Sequence, residues 1–115
     1  MRRDQERLRD VVEALESVSK LIQGKTMDDF VADDAVCYAV AQRLTVVGEA
    51  ISRISPEVQE RHPDVPWKRI ISFRNVLIHE YFGIHWPFVW TTATEHAPKL
   101  KEQILAILQA EFPEE

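Results

Sequence analysis

Leu8-Arg9-Asp10-Val11-Val12-Glu13-Ala14-Leu15-Glu16-Ser17-Val18-Ser19-Lys20-Leu21-Ile22-Gln23-Gly24 sets apolar side chains at 8, 11, 12, 15, 18, 21 and 22, with charged or polar residues between them. Steps of three and four residues bring those side chains onto one stripe of a helix, whereas a half-buried strand requires strict alternation. The segment therefore reads as an amphipathic helix of about six turns, with Gly24 where a left-handed C-terminal cap falls.

The same reading extends outward. Residues 26–30 form a capped short turn of helix, and Asp33 stands where it caps a second long helix with a buried stripe of Val36, Val40, Val47, Ala50, Ile51 and Ile54. Pro56, Pro63 and Pro66 punctuate a connector over 55–66, in which only 56–61 can form a short helix. A third helix begins near Trp67, carries Ile70, Ile71, Phe73, Leu77 and Ile78, and ends at Gly83. The last runs from about Trp86 to Phe112 with Val89, Trp90, Ala93, Ala97, Leu100, Ile104, Leu105 and Leu108 on its apolar side and a kink expected at Pro98. Alternation of strand length and internal repeats are absent, and three glycines leave little material for β-turns. The expectation is one all-α domain over 1–115, an antiparallel bundle of four to five helices with a solvated acidic tail at 113–115.

Composition narrows the function. Nineteen acidic against fourteen basic residues give a net charge of −5, which excludes coating of nucleic acid by a broad positive field and leaves only local contacts. Cys37 is the single cysteine and sits among Val36, Tyr38, Ala39 and Val40, so it reads as a buried thiol in a reducing compartment. The charged N-terminus reads as no secretory leader, and no apolar run approaches a bilayer span, so a cytoplasmic protein without membrane contact is expected.

Chemistry concentrates in Arg74-Asn75-Val76-Leu77-Ile78-His79-Glu80-Tyr81, which gathers a permanent cation, an amide, an imidazole and a phenol near one helix end. On a continuous helix Asn75 and His79 share a face, Arg74 lines up with Tyr81, and Arg74 and His79 stand about 140° apart. One chain presents the pair awkwardly; two copies meeting across a two-fold axis could converge both sets on one cleft. An imidazole can take a proton from a ribose 2′-hydroxyl or give one to the leaving oxygen, and a guanidinium fork can hold the phosphate. By themselves, an arginine and a histidine at a helix end more often make structural hydrogen bonds.

Arg74, four residues, His79, one residue and Tyr81 resemble the R-x4-H-x-Y signature of HepT-type proteins in the HEPN superfamily, with Asn75 matching the polar residue after the arginine. Arg9-Asp10-Val11-Val12, Val47-Gly48-Glu49-Ala50, His62-Pro63-Asp64-Val65-Pro66-Trp67 and Tyr81-Phe82-Gly83-Ile84 resemble the family pattern in order and spacing. The resemblance implies a HEPN-type bundle, a two-fold homodimer with the motif at its interface, and a metal-independent endoribonuclease toxin cleaving tRNA or mRNA to a cyclic phosphate. It implies Arg74 and His79 as the catalytic pair, Asn75 as substrate-positioning, and no cofactor. It also implies a minimal nucleotidyltransferase (MNT) antitoxin as partner, which adds AMP to Tyr81 and silences the toxin by charge and bulk. An alternative from another class is a non-catalytic helical subunit that binds substrate or partner for such a nucleotidyltransferase.

Other residues read more plainly. His62, His85 and His96 have no Cys or His at a metal-ligand spacing, so no metal site is assigned. His85 falls at the mouth of the cleft or caps the next helix. Trp67 and Trp90 read as core anchors rather than base-stacking platforms. Gly48, in an apolar helix face, signals close approach of another backbone, and Glu49 beside it can pair with an arginine such as Arg74. Arg2, Arg3, Arg7 and Arg9 alternate with Asp4, Glu6 and Asp10 as a mixed solvated face. Lys68 and Arg69 are the extra cations near the motif and could extend a phosphate track.

Overall fold

The computed structural model describes residues 2–113, without the side chains of Arg2 and Tyr81. Glu114 and Glu115 of the expected solvated tail lie outside the described residues.

Helix α1 (Arg2–Ile22) ends in a turn where Gly24 holds a φ of 74°, a conformation that a Cβ would penalise. Helix α2 (Met27–Val31) opens on a capping box: the Asp29 N–H donates to Thr26 Oγ1 at 3.1 Å, and the Thr26 N–H donates to Asp29 Oδ2 at 3.0 Å. Asp33 Oδ1 accepts from the Val36 N–H at 3.2 Å and starts helix α3 (Asp34–Ser52). Ser55 caps α4 (Pro56–Arg61), and Pro56 takes the first turn, where a missing N–H removes no helical bond. Helix α5 (Trp67–His79) leads into a 3-10 turn (Tyr81–Gly83). Then α6 (Trp86–Thr91), a π turn (Thr92–His96) and α7 (Ala97–Glu111) follow one another without a break.

Helices α1 and α3 form the antiparallel centre. The Ser55 N–H and hydroxyl donate to Asp4 at 3.0 and 2.7 Å, Arg7 donates to the Arg53 carbonyl at 2.8 Å, and Arg43 donates to Ser17 at 3.1 Å, so pairings run in opposite directions along the two segments. Helix α7 lies on α1, where Lys101 meets Glu16 at 3.3 Å, and α5 lies on α3. One apolar cluster joins Leu8, Val11, Leu15, Ile51, Trp67 and Ile104; a second joins Val18, Phe30, Val40, Leu44, Leu77 and Val89. Each such Leu, Ile, Val or Phe contributes roughly 1.5–3 kcal/mol on leaving water. Trp67 is a core anchor as expected, its Nε1 donating to the His62 carbonyl at 3.0 Å. Cys37 is buried, its Sγ donating to the Phe30 carbonyl at 3.1 Å, and burial, with Asp34 and Asp33 adding, pushes the thiol up.

Four details depart from the sequence reading. Helix α5 ends at His79 rather than Gly83, because the chain tightens into the 3-10 turn; Gly83 is not at positive φ. Around Pro98, which has no N–H for the carbonyl four residues back, the helix widens and the Ala97 N–H reaches Thr92 O five residues back. Asp4 is no part of a solvated face: it is 2% exposed and holds Ser55. Leu105 and Ile78 are exposed, while Ile107 takes the core position on α7.

Arg61 donates twice to the Glu111 carboxylate at 2.8 Å, and His62 Nε2 meets it at 2.8 Å. Those bonds, Arg61 first and His62 second, hold the Glu111 carboxyl down to about 2. A depressed carboxyl stabilises the fold above its ordinary value near 4.5, and the contribution fades as pH falls towards about 2. Glu111→Gln is therefore expected to lower the melting temperature by a few degrees at pH 6. The gap from wild type should close between pH 4.5 and 2 in thermal melts; a pH-independent gap would refute the assignment.

Candidate active site on helix α5

Helix α5 buries Trp67 and Leu77, keeps Ile70, Ile71, Phe73 and Arg74 half-buried, and exposes Lys68, Arg69, Ser72, Asn75, Val76 and His79. This division follows from its seat on α3. A Cβ built on Gly48 would overlap the Cβ of Arg74 and lie 2.5 Å from its Cγ. Only glycine lets the two helices approach closely enough for the arginine stem to lie across α3, the close approach that Gly48 signalled in the sequence.

The guanidinium is then held at both sides. Its Nη1 meets Glu49 Oε1 at 2.7 Å, as anticipated, and its Nε donates to Asn75 Oδ1 at 2.9 Å. The Arg74 side chain is 16% exposed and that of Glu49 45%, so the pair sits at the rim of the protein, where its charges keep part of their hydration. The Asn75 amide oxygen is thus engaged by Arg74, its own chain neighbour.

His79 is exposed at the last position of α5. Five residues on a helix separate it from Arg74 by about 7.5 Å along the axis and about 140° around it, so the fold does not point the two side chains the same way. Tyr81 falls beyond the helix end, in the 3-10 turn. The helical alignment of Arg74 with Tyr81 expected from sequence does not carry across that change of winding, and the Tyr81 side chain lies outside the described residues. Around the motif the surface is apolar: Val76 and Ile78 are each 45% exposed and Phe82 97%.

A sequence profile described as Ribonuclease HepT-like matches residues 11–107. The chain belongs to the HepT-like ribonuclease family. A protein from Caldanaerobacter subterraneus subsp. tengcongensis, provisionally named an RNase, is 36% identical over 104 residues, 90% of this chain and 93% of the relative. A provisionally named RNase of Methanocaldococcus jannaschii is 34% identical over 97 residues, 84% and 89% of the two chains. A probable ribonuclease HepT of Thermococcus cleftensis is 34% identical over 94 residues, 82% and 86%. No solved structure matches the chain.

In this HepT-like ribonuclease the remaining candidates lie elsewhere. His85 stands at the N-cap position of α6 but makes no capping bond with its side chain. His62 is committed to Glu111. Among the described residues no three His, Cys, Asp or Glu side chains are grouped to hold a metal ion, and no helix is long and apolar enough to cross a membrane. Sequence reasoning passed over Phe88, which is 52% exposed and packs edge-on to Phe73 with ring centres 5.5 Å apart; an apolar residue in an apolar run carries no signal of which face it occupies.

Proposed function

We propose that this HepT-like ribonuclease is a cytoplasmic, metal-independent endoribonuclease toxin whose single helical domain works as a homodimer. The observation that carries this reading is the arrangement on α5: Arg74 fixed between Glu49 and Asn75, His79 exposed one turn beyond Asn75, and apolar Val76, Ile78 and Phe82 around them. A second copy covering that apolar surface would bury it and bring a second arginine and histidine to the same cleft.

In the reaction, His79 takes the proton of a ribose 2′-hydroxyl, the 2′-oxygen attacks phosphorus, and the P–O5′ bond breaks. The partner's His79 gives its proton to the departing 5′-oxygen, leaving a 2′,3′-cyclic phosphate and a 5′-hydroxyl. Arg74, with two N–H groups still on Nη2, takes the charge that grows on the phosphate oxygens, and Asn75 positions the fork. Substrates of this chemistry are tRNA or mRNA.

The partner would be an MNT-type nucleotidyltransferase antitoxin. The Tyr81 oxygen attacks the α-phosphorus of ATP, pyrophosphate leaves, and the AMP so attached sets a negative, bulky group beside the cleft. Intact mass after incubation with such an enzyme and ATP is expected to rise by one AMP per chain, and Tyr81→Phe protein should gain none.

The deciding experiment is incubation of wild-type and His79→Ala protein with total cellular RNA in EDTA, with products resolved on a gel. Discrete fragments from wild type alone support the reading. Intact RNA in both lanes, with dimers confirmed by sedimentation, overturns it in favour of a non-catalytic partner subunit.

A further inference from the structure

A groove of about 470 Å³ opens between α5 and the π turn, within the roughly 300–1,000 Å³ usual for small-molecule pockets. Its floor is apolar, from Val47, Ile70, Phe73 and Leu100. Its rim carries two cations, Arg69 on α5 and Lys99 opening α7, and the imidazole of His96, which closes the π turn. The one acid on the rim, Asp64, accepts from Gln103 Nε2 at 3.5 Å, and its carbonyl accepts from the same nitrogen at 3.1 Å.

We propose that this groove is a subsite for single-stranded RNA, taking one nucleotide of the substrate strand a few positions from the cleaved bond. The inference rests on the ribonuclease reading above and adds a binding site to it.

Four separate features point to that occupant. In a chain of net charge −5, the cations Arg69 and Lys99, with the His96 imidazole beside them, make a local contact, the only kind of nucleic-acid contact such a chain can offer. Phe88, half-exposed and in edge-to-face contact with Phe73, lines the groove and supplies an aromatic ring, the kind of side chain on which any base can stack. The groove also shares a helix with the motif. Arg69 precedes His79 by ten residues, about 15 Å along α5 and about 80° around it, so both lie on the exposed side and a strand leaving His79 reaches Arg69 within a few nucleotides. The π turn contributes: Thr92 and His96, at its two ends, both line the groove, and widened turns of this kind recur at binding sites.

The test uses His79→Ala protein as parent, so that a single-stranded oligouridine labelled with fluorescein stays intact during binding. Adding Arg69→Ala and Lys99→Ala, both exposed positions, is expected to weaken binding about tenfold and to reduce the slope of log K against log salt by about 1.4, two phosphate contacts at about 0.7 each. Phe88→Ala should weaken binding about tenfold with the slope unchanged, since stacking releases no counterions. Unaltered affinity and slope in both variants, or no binding by the parent at low salt, overturns the subsite. A changed sedimentation coefficient with unaltered affinity per dimer overturns it too and assigns the groove to contact between copies. Failure of wild type to cleave total RNA defeats the ribonuclease reading instead, and the binding contrast is scored separately.

Discussion

His79→Ala is expected to lower kcat/KM for RNA cleavage by about 10²–10⁴, the range for losing a positioned acid or base, while leaving the melting temperature close to that of wild type. The two halves of this expectation have one cause. His79 is exposed at the end of α5 and outside both apolar clusters, so its removal opens no cavity and strands no buried polar group. Arg74→Lys is the companion. Lysine keeps the charge but has no planar fork to engage Glu49, Asn75 and a phosphate together, so a loss of about 10²–10³ is expected at constant fold. Measured single-turnover rates on a defined RNA product would decide: an active His79→Ala protein removes the imidazole from the chemistry, and an active Arg74→Lys protein reduces Arg74 to a point charge.

Gly48→Ala is the second large effect, and its direction runs against helix propensity. Alanine in a helix interior is favoured over glycine by about 1 kcal/mol, so a reading of α3 alone expects a more stable protein. The added methyl, however, would fall on the Cβ and Cγ of Arg74, near the backbone of α5, where no flexible tip can move aside. Relief requires α5 to lift from α3, an overpacking cost of about 1–3 kcal/mol that outweighs the propensity gain. A net loss of up to about 2 kcal/mol in urea unfolding is expected. Because Arg74 rides on α5, cleavage should fall about a hundredfold, as misplacement of a phosphate-binding group by an ångström does. A Gly48→Ala protein more stable than wild type and fully active would show that the helices are not held at this spacing.

These two substitutions separate the parts of the candidate site. One removes the group proposed to react and spares the scaffold; the other spares every polar side chain and moves the scaffold. The acid titration of Glu111 stands apart from both, since it reads the contact between the end of α4 and the end of α7.

Most of the helical plan was legible in residue order. The 3-4 spacing from Leu8 to Ile22, the cap residues Thr26 and Asp33, and Gly24 act through contacts within a few residues, and those contacts form wherever the sequence occurs. Arg74, Asn75, His79 and Tyr81 were equally visible, because residue type and spacing carry them. Even the Gly48 approach left a trace, a glycine where helix propensity argues against one. The exits were less legible: whether α5 ran on to Gly83, and what Pro98 did to the last helix, turned on how the chain packs at each end.

What residue order alone determined is thus the set of helices and the inventory of chemical groups on each, since both depend on local geometry and on the 3.6-residue period. Only the tertiary structure decided that Asp4 is buried against Ser55, that Arg74 is locked by Glu49 from another helix, and that Arg69, His96, Lys99 and Phe88 surround one groove. Those groupings join residues up to 51 positions apart in the chain. They arise because burying two apolar stripes against each other fixes which polar residues at their margins meet, a choice that no single helix makes by itself.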